Sequence, residues 1–110
     1  MATDYGKVTA IIRSECLEPV ERALQDLGVA GVSVSRVKGY GEYVDFFAAD
    51  WMSTYVKMEV ITAANRADAI IATVLQVASS GTKGDGIVTL TPLERVWRIR
   101  TKTPAPPSEL

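Results

Sequence analysis

Three glycines fall within the six positions Gly81 to Gly86, in the run Ser80-Gly81-Thr82-Lys83-Gly84-Asp85-Gly86. Glycine lets a backbone turn tightly and aim several N–H groups at one anion, and Lys83 would add a positive charge. The plainer reading is a flexible helix-to-strand turn ending in Asp-Gly, and the residues alone leave both open. The run is not a P-loop, because no Gly-Lys-Ser/Thr opens a helix here. A second candidate is Arg95-Val96-Trp97-Arg98-Ile99-Arg100-Thr101. On a strand, Arg98 and Arg100 share a face and can fork onto one phosphate group. The same charges would equally protect a solvated strand edge. The third is Gly41 to Tyr55, GEYVDFFAADWMSTY, which holds five of the eight aromatics and the acids Glu42, Asp45 and Asp50, with no lysine or arginine. It is too long for a hairpin turn. Either the flanking strands extend into it and its aromatics pack inward, or it protrudes and they anchor in a partner.

These segments need elements to hold them. Lys7 to Arg13 (KVTAIIR) is a short branched apolar run and reads as the first strand. Leu17, Val20, Leu24 and Leu27 recur at helical spacing, with Pro19 in the first turn and Gly28 as the stop. Val29 to Lys38 alternates and reads as the second strand, and Val56 to Thr62 as the third. Asn65 is positioned to cap a second helix whose stripe is Ile70, Ile71, Val74, Leu75 and Ala78. Ile87 to Leu90 and Arg95 to Ile99 are a last strand pair, or one strand interrupted near Pro92. The tail TKTPAPPSEL, with three prolines, is expected to be flexible over residues 102–110. The order β-α-β-β-α-β predicts an α+β, ferredoxin-like fold: an antiparallel sheet with both helices on one face. Its other face must be polar or covered, and a small oligomer would cover it.

Composition removes several classes of function. The chain of 110 residues suits one domain. Twelve basic and thirteen acidic residues, net charge -1, argue against a general nucleic-acid binder. The absence of histidine closes phosphohistidine chemistry, histidine bases and imidazole metal ligands. Thus the nucleoside-diphosphate kinase route and the divalent-metal-tolerance proteins of similar fold are disfavoured. An RNA-binding domain of this element order would stack bases on aromatics in the first and third strands, which have none. No nucleophile and base are visibly paired, so an enzyme such as a slow ATPase using Asp85 or Glu42 is the weaker reading. One cysteine, Cys16, forms no internal disulfide. Without an apolar run of about 20 residues or an apolar signal core, a soluble cytoplasmic protein is expected.

From Lys7 to Thr101 the sequence resembles the PII family of trimeric signalling proteins. The resemblance lies in VSRVKGYG (Val34 to Gly41), SGTKGDG (Ser80 to Gly86) and RVWRIRT (Arg95 to Thr101). In that family these are the strand entering the T-loop, the B-loop and the C-loop. The boundaries implied are a domain over residues 1–101, with a T-loop at 41–55, a B-loop at 79–86 and a C-loop at 95–101. The resemblance implies a homotrimer with adenine-nucleotide sites in the clefts between subunits. It places Ser33 near the adenine, Gly39, Tyr40 and Gly41 at the base of the T-loop, and Glu59 and Ile61 along the base and ribose. Ser80, Gly81, Lys83, Gly84, Asp85 and Gly86 fall in the phosphate loop. Arg98 and Arg100 match the two arginines that cross from the neighbouring subunit.

The departures from the family pattern imply a narrower role. The T-loop is several residues short, its uridylylation context is missing, and Glu42 and Tyr43 stand where a glutamine helps hold magnesium and 2-oxoglutarate. Tyr55 and Ile87 replace lysines, which favours ADP or AMP over ATP. These features resemble the carboxysome-associated, bicarbonate-responsive PII-like proteins. That likeness implies no enzymatic activity and no obligatory metal, bicarbonate as a second ligand, and a protein partner met through the T-loop, such as a bicarbonate or other ion transporter.

Overall fold

The computed structural model describes residues 3–37 and 55–110. The readings placed on Gly39, Tyr40, Gly41 and the aromatics before Tyr55 lie outside the described residues. Strand β1 (Tyr5–Arg13) leads through a short 3-10 turn into helix α1 (Leu17–Asp26). Pro19 sits in the first turn of α1, where its missing N–H is no loss. The helix ends as its glycine predicted. Gly28, at φ +92, donates to the Gln25 carbonyl while Val29 donates to the Leu24 carbonyl, so the last carbonyls are satisfied.

Strand β2 (Ser33–Arg36) is much shorter than the alternation suggested, and β3 (Tyr55–Ala63) slightly longer. Helix α2 (Ala67–Ala78) begins after a 3-10 turn at Ala64–Arg66. Asn65 lies inside that turn, and no side-chain bond caps the helix at Arg66. Strand β4 (Gly86–Leu93) runs straight through Pro92, which an edge strand tolerates. The predicted last pair of strands is therefore different. Two residues, Trp97–Arg98 (β5), pair instead with Thr103–Pro104 (β6) in a separate small hairpin.

The sheet order is β2-β3-β1-β4, all antiparallel, as the ferredoxin-like reading required. Alternation along β1 sends Val8, Ala10 and Ile12 to the helix side, where they meet Val20, Leu24, Ile70 and Val74 in one core. Burial pushes the Cys16 thiol, packed beside that core, above its usual range. On the helix-free face the register aligns Ile11 with Lys57 and Ile87, and Lys7 with Ile61. Ile61 stays 47% exposed and Ile87 37%.

Within the segment 102–110, expected to be flexible, one residue is firmly held. Ala105 is fully buried, and its carbonyl accepts the Tyr5 hydroxyl at 2.6 Å. Proline composition predicted disorder, but a proline in extended backbone needs no donor and pairs readily at a hairpin edge. Among the described residues no helix is long and apolar enough to cross a membrane.

Candidate functional site

Because β2 pairs only with Val56 to Glu59 of β3, no strand among the described residues lies beside Val60 to Thr62 on the side away from β1. A cavity of about 490 Å³ lies there, of a size that suits a small ligand. Ser33, Glu59, Ile61 and Arg98 all line it, so four residues scattered through the sequence meet at one place. Its charges are mixed. Lys7, Arg66 and Arg98 stand against Glu59 and Glu109. Lys7 Nζ lies 3.2 Å from Glu59, and Lys57 Nζ 3.8 Å from the same carboxylate. Among the described residues Thr62 Oγ1 and Arg98 Nε are buried without a hydrogen-bond partner, and both residues line the cavity. Buried polar atoms left in this way point to a missing partner.

Arg66, Lys7 and Glu109 carried no signal in the sequence. Arg66 Nη2 donates to the Leu27 carbonyl at the end of α1, a favourable place for a cation, and Nη1 reaches the Leu110 carbonyl. The pairing of Arg98 with Arg100 needs correction. Arg98 ends β5, and the chain then turns through residues 99–102, closed by Lys102 N–H donating to the Arg98 carbonyl at 2.9 Å. Arg100 sits exposed in that turn and is outside the described lining of the cavity. Alternation along a strand cannot put the two on one face, because the strand stops between them.

The glycine loop lies at the other end of the sheet. Its Asp85 carboxylate accepts the backbone N–H groups of Ser80 and Gly81 at 2.8 Å each and of Thr82 at 3.3 Å, and the Ser80 hydroxyl as well. The first half of the loop therefore wraps its own acid. The Ser80 contacts lead in lowering the Asp85 pKa from 3.8 to about 2. Arg13 braces the loop from β1, donating to Thr82 Oγ1 at 3.3 Å and the Lys83 carbonyl at 2.9 Å, with Asp85 3.6 Å away. Tyr55, paired with Arg13 across β1 and β3, donates its hydroxyl to the Gly84 carbonyl at 2.7 Å. Lys83 is exposed.

The Asp85 contacts set a pH response. A carboxyl whose folded pKa is lowered stabilises its loop above the unfolded pKa and loses that contribution as pH falls through the folded one. The loop should thus hold unchanged at pH 5 and open as acid takes the pH from about 4 toward 2. Amide exchange at Ser80, Gly81 and Thr82, followed by NMR across that range, should show their protection titrating with the Asp85 carboxyl. Flat protection down to pH 2 would contradict the assignment.

Residues 5–103 match the family model "Nitrogen regulatory protein P-II". The chain is 33% identical over 102 residues to the Nitrogen regulatory protein P-II of Pasteurella multocida, covering 86% of this chain and 91% of that protein. It is 34% identical over 102 residues to the P-II of Rhizobium meliloti, with the same coverage. The crystal structure of Arabidopsis thaliana PII bound to citrate superposes with a TM-score of 0.79 at 31% identity, over 94% of this chain and 87% of that one. With its fold, its glycine loop and the matched length in agreement, the chain belongs to the Nitrogen regulatory protein P-II family.

Proposed function

We propose that this protein is a non-enzymatic signal transducer whose homotrimer binds adenine nucleotides, ADP or AMP in preference to ATP, between its subunits. The observation that carries this reading is the separation of two half-sites. Lys7 and Ile61 mark the cavity end of the sheet, and Ile12 and Gly86 mark the glycine-loop end, five residues along β1. At about 3.3 Å per residue the halves stand on the order of 16 Å apart, too far to enclose one phosphate group from a single chain. A second copy would bring its loop to the first copy's cavity, and the exposed Ile61 and Ile87 on the helix-free face give the copies an apolar surface to share.

The chemistry of each half fits. The open β3 edge offers alternating N–H and C=O groups, the pattern that a purine's donor-acceptor edge can pair with. Arg98 supplies a fork for phosphate, and backbone at Lys83 to Gly86 supplies donors at the loop. The Tyr55 hydroxyl is engaged with Gly84, and Ile87 has no charge, so neither offers the cation that a third phosphate needs. In the segment 41–55, three acids without a base disfavour a dicarboxylate and tolerate singly charged bicarbonate. Bicarbonate at Gly39 to Gly41 would set the contact of that segment with a transporter or another partner in inorganic-carbon metabolism.

The relatives are nitrogen regulatory proteins by name, which favours a second reading, a nitrogen-type regulator; such a regulator would answer to 2-oxoglutarate. Titration calorimetry separates the two. ADP should bind, bicarbonate should tighten it and 2-oxoglutarate should not, and Arg98→Ala should weaken binding about tenfold, as loss of one charge-assisted contact does. Tightening by 2-oxoglutarate alone would select the second reading. A monomer by light scattering, or wild-type affinity in Arg98→Ala, would remove the proposed site.

A further inference from the structure

Arg98 is already engaged by an acid of its own chain. Its Nη2 donates to the Glu109 backbone oxygen at 3.3 Å and lies 3.3 Å from the Glu109 carboxylate. Glu109 and Leu110 line the same cavity as Ser33, Glu59 and Ile61. The path that brings them there has two parts of unequal strength. Up to Ala105 the chain is firmly held: β6 pairs with β5, the Ala105 N–H donates to the Val96 carbonyl at 2.8 Å, and Ala105 is buried. Beyond it, Pro107–Glu109 form one 3-10 turn; Arg98 donates to Glu109 and Arg66 to the following Leu110, and both arginines line the cavity. The Arg98 and Glu109 side chains are 38% and 55% exposed, so water competes with the pair and its release costs little.

We propose that residues 107–110 are an internal competitor at this site: the Glu109 carboxylate occupies Arg98 until the phosphate of an incoming nucleotide displaces it and the 3-10 turn lifts away. The proposal rests on the nucleotide reading above. Carboxylate and phosphate present similar oxygens to a guanidinium, and the phosphate carries more charge, so the exchange runs toward the ligand. The turn therefore tunes affinity rather than blocking the site. It also makes the conformation of the chain after Ala105 a reporter of occupancy.

The test uses the full chain and ADP. Glu109→Gln removes the charge and keeps the shape, so ADP should bind about two- to fivefold more tightly than to wild type at low salt. That difference should shrink as salt screens the pair. In wild type, ADP should speed hydrogen exchange at Ser108, Glu109 and Leu110, the last two of which donate within the turn. Equal or weaker ADP binding by Glu109→Gln, or slower exchange at these amides with ADP, would overturn the inference while leaving the nucleotide reading intact. No ADP binding by either protein would overturn both.

Discussion

Gly86→Ala is expected to cost at least about 3 kcal/mol of stability, a large share of the margin of an ordinary domain. Gly86 opens β4 at φ +116, a backbone region that L side chains rarely adopt. A Cβ there would stand 1.9 Å from the Ile11 carbonyl oxygen and 3.0 Å from its carbon. Neither atom can yield, because Ile11 lies within the central strand β1, paired on both sides. Gly81→Ala is the control. Gly81 is also left-handed, at φ +80, but no atom of the described residues lies within 4 Å of its Cβ position. It should cost about 1 kcal/mol, the backbone preference alone. Urea unfolding of both variants measures the contrast. A Gly86→Ala protein within 1 kcal/mol of wild type would refute the close approach of β1 and β4 at this point.

Tyr55→Phe should cost about 1–3 kcal/mol and loosen the glycine loop without disturbing the core. The ring is 1% exposed and would stay, so no cavity opens. What disappears is the hydroxyl that donates to the Gly84 carbonyl, and Gly84 itself is buried. An alanine at Gly84 would meet that same hydroxyl at 2.9 Å and Arg13 Nη2 at 3.1 Å, which shows how tightly the loop is held. Urea unfolding gives the stability loss, and exchange at the loop amides locates it. ADP affinity should fall with the loop's order if the loop holds phosphate. A Tyr55→Phe protein with wild-type stability and loop protection would mean the bond contributes nothing.

Tyr55 also shows where reading from sequence stopped. Its replacement of a family lysine was visible, and so was the loss of a cation. That its hydroxyl would brace Gly84 from across the sheet was not, because the contact joins residues 29 apart. The same holds for Asp85. An Asp-Gly pair reads as a turn, but only the folded loop turns three N–H groups onto that carboxylate.

By itself the sequence determined the element order as far as β4, most of the helical stripes (Leu75, read into the second, is 54% exposed), the stop at Gly28 and the antiparallel α+β sheet. Those follow from periodicity and backbone chemistry within a few residues, which neighbours in the chain decide. It also brought Ser33, Glu59, Ile61 and Arg98 under suspicion together, through the family resemblance. Tertiary structure alone decided that β2 would stop short and leave the β3 edge open. It separated Arg98 from Arg100 with a turn, and it returned the proline-rich tail to the sheet beneath Tyr5. Each of these depends on a partner far along the chain, which local propensity does not encode: Glu109 for Arg98, Ala105 for Tyr5, and the end of the β2 ladder for the cavity.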